Sequence, residues 1–260
     1  MDNSNLYKKS KWISYPKPNR EAKLKLFCFP YAGSSGIVTY KYFADNLIYD
    51  IEVCPIELPG RGFRLVEPLL DNIHELVNQL HPEILPHLNK QFAFFGHSMG
   101  ALISFELAKK LSKENGKVPS ILYISAHRAP HIIDRQIIYH TLADDDLLIQ
   151  LRKNNGMMDE VLNNKELLEL VLPIIKNDYK VCETYKLEND TKLDCPITAF
   201  GGKQDPDVNE EHLKSWANFT NLAFNLKIVD GDHFFIIKER KSFIKIFNEQ
   251  IQFDLLNLVR

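Results

Sequence analysis

A serine hydroxyl becomes a competent nucleophile only when a base takes its proton and a third group orients that base. The segment Gly96-His97-Ser98-Met99-Gly100 supplies a serine in a G-x-S-x-G pattern. Chance alone gives that pattern in roughly one protein of this length in ten, so its setting decides its meaning. The apolar run Phe92–Phe95 precedes it and a helix-like stretch, Ala101–Leu111, follows. A serine on a sharp strand-to-helix turn has a strained backbone, and glycines on either side let strand and helix approach. The turn exposes the hydroxyl at the carboxyl end of a sheet, beside a helix N-terminus that favours developing negative charge.

In such a setting the acid and then the base follow the serine in the chain. Val229-Asp230-Gly231-Asp232-His233-Phe234-Phe235 puts a histidine in a loop just past the last apolar run. Of nine histidines, only His233 has that setting. His97 neighbours the serine inside the elbow, where its ring is expected to point away. For the acid, Gly201-Gly202-Lys203-Gln204-Asp205-Pro206-Asp207 follows another apolar run. Asp205 is favoured because it comes first after the turn and Pro206 stiffens the loop. Asp207 reads as a solvated residue or a helix cap. Asp232 is too close to His233 in sequence to reach its ring nitrogen well. Two backbone N–H groups would complete an oxyanion hole: that of Met99, after the nucleophile, and one from the loop Phe29-Pro30-Tyr31-Ala32-Gly33-Ser34-Ser35-Gly36. That loop lacks the spacings of phosphate-binding loops.

The elements that must position these residues follow from periodicity. Leu24–Pro30, Ile51–Leu58, Phe92–Phe95, Ile121–Ser125, Pro196–Phe200 and Ala223–Val229 read as strands, alternating with helical patterns such as Asn72–Leu85 and Phe243–Leu258. Such alternation predicts a mostly parallel sheet with helices on both faces. The first ~20 residues read as an irregular leader with two prolines. From about residue 131 to 187 no strand is evident, and Leu142–Leu151, Glu160–Leu162 and Leu167–Tyr185 look helical. An insertion there is expected to form a lid over the site, its apolar residues, Met157-Met158 among them, lining a substrate channel in part and packing on the sheet for the most part.

Bulk properties narrow the field. The 260 residues suit a single α/β domain. Net charge is 32 − 34 = −2, which offers no polyanion-binding surface, so nucleic acid is not an expected partner. Cys28, Cys54, Cys182 and Cys195 form no CxxC pair and no zinc-ligand spacing; four reduced thiols, no metal and a cytoplasmic location are expected. The polar N-terminus has no secretory h-region, and no apolar run approaches a membrane span.

Read together, the chemical segments resemble the type II thioesterases, the stand-alone editing enzymes of nonribosomal peptide and polyketide synthesis, within the α/β-hydrolase superfamily. The resemblance runs from about Lys25 to the C-terminus. It rests on Cys28-Phe29-Pro30-Tyr31-Ala32-Gly33, Glu57-Leu58-Pro59-Gly60-Arg61-Gly62, the serine elbow, Ser125-Ala126-His127-Arg128-Ala129-Pro130, Leu172-Pro173-Ile174 with Asp178-Tyr179, Gly201-Gly202 with Asp205-Pro206, and Gly231-Asp232-His233-Phe234-Phe235. The family often carries a basic residue at His127 and glycine at Asp232; these departures bear on substrate preference and touch no triad position. The resemblance implies an α/β-hydrolase fold, a Ser98–His233–Asp205 triad, and Ala32 as the second oxyanion donor beside Met99. It also implies acyl groups on the phosphopantetheine arm of acyl or peptidyl carrier protein domains as substrate, and transient docking to those domains; a monomer is expected. No cofactor is expected beyond the arm the substrate carries, because a thioester has a good thiolate leaving group and a triad with an oxyanion hole suffices. Arg61 and Arg64 are expected near the site entrance as local contacts for the carrier. A carboxylesterase or acyl-CoA thioesterase on the same triad, and a non-catalytic acyl-binding protein on the same scaffold, are the rival readings.

Overall fold

The structure is a computed structural model that describes residues 10–133, 137–153, 164–189 and 191–258. Six strands run through it: β1 (Leu24–Phe29), β2 (Ile51–Pro55), β3 (Phe92–His97), β4 (Leu122–Ser125), β5 (Ile197–Gly202) and β6 (Phe224–Val229). They pair in the order β2-β1-β3-β4-β5-β6, every pair parallel. Strands covered on both faces need apolar side chains on both. In β1, Phe27 and Phe29 face one core while Leu24, Leu26 and Cys28 face the other; in β3, Phe92 and Phe94 oppose Ala93 and Phe95.

Helices α1 (Gly36–Asn46), α2 (Ile73–Ile84) and α3 (Met99–Asn115) follow β1, β2 and β3. Helices α2 and α3 cover one face of the sheet. Asn72 caps α2 through its side-chain oxygen, which accepts from the His74 and Glu75 N–H groups. On the opposite face lie α1 and the C-terminal helix. Between β4 and β5 come α4 (Asp144–Lys153) and α5 (Lys165–Glu183). Short α6 (Glu210–Lys214) and α7 (Phe235–Lys238) precede α8 (Arg240–Leu258), whose Phe243, Phe247 and Ile251 join the core of α1. Among the described residues no helix is long and apolar enough to cross a membrane.

Three features differ from the sequence reading. β2 stops at Pro55 rather than Leu58, because Ile56 pairs antiparallel with Ile13 of the leader. The leader is therefore not merely irregular: Trp12 and Ile13 are buried, and the Arg64 guanidinium sits 4.0 Å from the Trp12 ring. Finally, α3 runs from Met99 to Asn115, beginning directly after the serine and reaching about a turn beyond the expected Leu111, where Gly116 in the left-handed conformation follows it. The expected helical piece Glu160–Leu162 and the pair Met157-Met158 lie outside the described residues.

Strand order reverses between β1 and β3: from β1 the chain moves outward to β2, then returns to β3 on the other side. Loops leaving two such adjacent strands diverge, and the crevice between them is where open α/β sheets bind ligands. Those loops are Pro30–Ser35 and the elbow at Ser98.

Candidate active site

Ser98 links β3 to α3 with φ 52° and ψ −119°. A non-glycine residue seldom takes positive φ, so the turn is strained and must be held by its surroundings. A side chain at Gly96 would collide with the Gly100 carbonyl, and one at Gly100 with the Phe29 carbonyl. Glycine at both positions is what lets α3 begin against the end of β1. Ser98 N–H donates to the Ser125 carbonyl at 2.8 Å, which ties the elbow to β4.

The expected base and acid, His233 and Asp205, arrive on the loops after β6 and β5. His233 Nδ1 lies 2.8 Å from Asp205 Oδ2, and its Nε2 lies 3.0 Å from Ser98 Oγ. Their two loops are stitched together: Gln204 N–H donates to the Gly231 carbonyl, and Gly231 N–H to Gln204 Oε1. Asp205 uses its other oxygen to accept from the Asp207 and Val208 N–H groups at 2.9 and 3.1 Å. Its side chain is completely buried. Burial alone would lower the His233 pKa, but the charge and hydrogen bond of Asp205, with smaller pulls from Asp207 and Asp232, raise it above the ordinary imidazole value.

The competitors fall elsewhere. Asp207 is exposed in the cavity wall, and its carbonyl accepts from Arg128. Asp232 accepts from the Phe234 N–H and pairs with Lys238. His97 is fully buried and pairs through Nδ1 with Ser125 Oγ at 2.8 Å. Burial, then the neighbouring His233, push its pKa well down, so it stays neutral.

Ser98, His233 and Ala32 line one cavity of about 520 Å³. Met99 is the first residue of α3, where the N–H has no acceptor within its own helix. The insertion forms part of the cavity wall through Tyr139, Leu151, Ile175 and Tyr179. Tyr139 and Tyr179 stack at 4.8 Å. Among the described residues no group of three or more His, Cys, Asp or Glu side chains could hold a metal ion.

The expected entrance arginines are a correction. Arg61 and Arg64 are 4% and 2% exposed. Arg61 grips Asp178 of α5, while Arg64 binds Glu67 and the Glu57 carbonyl. They face inward because the loop between β2 and α2 is folded down by Trp12 and α5, and neither can meet a partner. Asp178 itself, quoted above only as part of a family segment, also accepts the Gly33 N–H at 2.7 Å. No local pattern marks it: its partners are 117 and 145 residues away.

The sequence pattern of the family described as thioesterase domain matches residues 24–251. The chain belongs to the thioesterase domain family. It is a thioester hydrolase of the α/β-hydrolase fold. Among its relatives is the gramicidin S biosynthesis protein GrsT of Aneurinibacillus migulanus, 39% identical over 243 residues and covering 94% of each chain. LgrE of Brevibacillus parabrevis, named a linear gramicidin dehydrogenase, is 39% identical over 94% of this chain and 93% of its own. Hydride transfer of the dehydrogenase type needs a dinucleotide site, and the loop after β1 lacks the G-x-G-x-x-G spacing of one. The solved type II thioesterase BorB, from the borrelidin biosynthetic cluster, superposes with a TM-score of 0.83 at 34% identity, covering 92% of this thioesterase and 96% of BorB.

Proposed function

We propose that this thioesterase removes aberrant or stalled acyl groups from the phosphopantetheine arms of acyl or peptidyl carrier proteins in nonribosomal peptide or polyketide synthesis. The observation that carries the mechanism is His233 bridging Ser98 and Asp205 at 3.0 and 2.8 Å. The biosynthetic setting rests on likeness to GrsT and BorB, whose names place them in gramicidin S and borrelidin synthesis.

In the first half-reaction the Ser98 hydroxyl passes its proton to His233 Nε2 as Oγ bonds to the thioester carbonyl carbon. The carbonyl oxygen gains negative charge and takes hydrogen bonds from the Met99 and Ala32 N–H groups. The tetrahedral centre collapses, the C–S bond breaks, and the pantetheine sulfur takes the proton from His233. In the second half, water gives a proton to His233 and its oxygen attacks the acyl-serine ester. Breaking the C–O bond returns the proton to Ser98 and frees the acid. Asp205 holds the ring so that Nδ1–H faces it and Nε2 faces the serine. The route uses no cofactor of the protein's own. The reading includes a cytoplasmic monomer that meets its carrier briefly.

Two measurements test it. Ser98→Ala is expected to lower turnover of an acyl-pantetheine thioester by about 10⁶-fold with the fold retained, since the nucleophile and base act as a unit. A fluorophosphonate probe should label the wild type and not the variant. A variant that kept a tenth of the activity, or that still took the label, would remove Ser98 from the mechanism.

A further inference from the structure

The loop that carries Ala32 is held from one side by a buried ion pair whose carboxylate lies 145 residues further along the chain. Asp178 of α5 is 1% exposed and Arg61 is 4% exposed. The pair is bidentate: Arg61 Nη2 donates to Asp178 Oδ1 at 2.8 Å, and Nη1 to Oδ2 at 2.5 Å. The same Oδ2 accepts the Gly33 N–H at 2.7 Å. Gly33 has φ +78°, and a side chain there would strike Ile175, one turn before Asp178 on the same helix. The following residue is tied within the turn, its N–H and Oγ both donating to the Tyr31 carbonyl at 3.1 and 2.8 Å. The N–H groups on the far side of Ala32 are thus each committed, Gly33 to α5 and Ser34 to the turn. Ala32 itself faces the cavity with Ser98.

We propose that Asp178, oriented by Arg61, is a positioning residue for the oxyanion loop: it fixes the Gly33 peptide and thereby aims the Ala32 N–H at the developing oxyanion. This rests on the reading of Ala32 given above. The physics favours the assignment over a purely structural one. A buried ion pair is a poor source of net stability, since desolvation offsets much of its attraction. An oxyanion donor, in contrast, works only when aimed in advance, and an error near 1 Å can cost about 10²-fold in rate. The clamp also links α5 to the oxyanion loop, so the insertion that walls the cavity helps shape the site that receives the carbonyl.

The test separates folding from catalysis. Removing one partner would leave the other charge buried alone, whereas Arg61→Met with Asp178→Leu removes both and fills the space with apolar atoms, a change that proteins tolerate. The double variant should melt close to the wild type. It should bind a non-hydrolysable thioether analogue of acyl-pantetheine as the wild type does, keep its KM, and lose about 10²-fold in kcat. It should lose the same factor in affinity for a trifluoromethyl ketone analogue, whose adduct with Ser98 places an oxyanion in the hole. A structural role alone would move melting temperature and both ligands together, and a kcat within about twofold of wild type would overturn the proposal. Should the double variant not fold, amide exchange of Gly33 in the wild type decides. An N–H held by a buried carboxylate exchanges as slowly as the β3 core; exchange at the rate of an open turn would overturn the clamp. Activity of the wild type and its loss in Ser98→Ala judge the reading of the site separately, because the clamp is judged only by the ratio of double variant to wild type.

Discussion

Asp205 and Asp207 show how two identical side chains two residues apart come to different uses. Asp205 has no free face: one oxygen meets His233 and the other takes two backbone N–H groups. Asp207 is exposed in the cavity wall and acts on His233 only through the smaller pull of its charge. Asp205→Asn is therefore expected to lower kcat/KM by about 10⁴-fold, the loss seen in the best-studied serine triad when the wrong histidine tautomer is favoured. Asp207→Asn should cost a few-fold at most; the reverse ranking would transfer the acid role. The pH profile supplies a second readout. His233 must be neutral to accept the serine proton, so activity falls as pH drops through its pKa. That pKa is raised, chiefly because Asp205 outweighs burial, and the acidic limb of kcat/KM should lie above the ordinary imidazole range. Asp205→Asn removes the raising charge, so the limb of its residual activity should move to lower pH. An unmoved limb would mean that some other group controls it. At this scale the grouping of Ser98, His233 and Asp205 within hydrogen-bonding distance was legible, because chain order and flanking apolar runs constrain them. Asp178 and Arg61 were not, since a buried pair is made by tertiary contact and leaves no local pattern.

The elements show where periodicity succeeds. Strands buried on both faces are continuous apolar runs, and each of the six was found within a few residues of its observed bounds. Helix α1 was missed. Its sequence, GIVTYKYFADN, opens with glycine and β-branched residues that weaken helix propensity, and it is fixed instead by Tyr40 and Phe43 packing on the sheet. The insertion was read as one mobile lid, but its two helices differ. The carboxyl half of α5 is pinned: Val181 is in the main core, Asp178 is clamped, and Asn177 donates to the Leu70 carbonyl at 2.8 Å. In α4, by contrast, the buried residues are Leu147 and Leu151, which meet Leu172 and Ile175 of α5 in a small separate cluster. Local stability follows buried contacts, so amide exchange is expected to be fast in α4 and slow in the second half of α5. Acyl-chain analogues that fill the cavity should slow α4, because Leu151 is part of its wall. If α4 exchanged as slowly as β3, with and without such an analogue, it would be part of the rigid frame and not a gate.

At the scale of the molecule, the question is what brings a carrier protein to this site. The net charge of −2 gives no bulk attraction to an acidic domain. The two arginines that the sequence offered as local contacts are buried, so their charge is spent on Asp178, Glu67 and the chain's own fold. Recognition then falls to groups around the cavity, whose lining includes Arg128 and Lys153. A short-lived complex suits an editing enzyme, which must inspect many carriers, and a small polar interface delivers that. The expected signature is a modest preference, about tenfold in kcat/KM, for one acyl group on a carrier protein over the same group on free pantetheine. Tenfold corresponds to about 1.4 kcal/mol of transition-state binding. Arg128→Gln should reduce the preference and leave the rate on free pantetheine near wild type only if that guanidinium meets the carrier and not the acyl group. Equal kcat/KM for carrier-bound and free substrate, across several carriers, would show that the protein partner adds nothing. The chain would then be a thioesterase that reads the acyl arm alone.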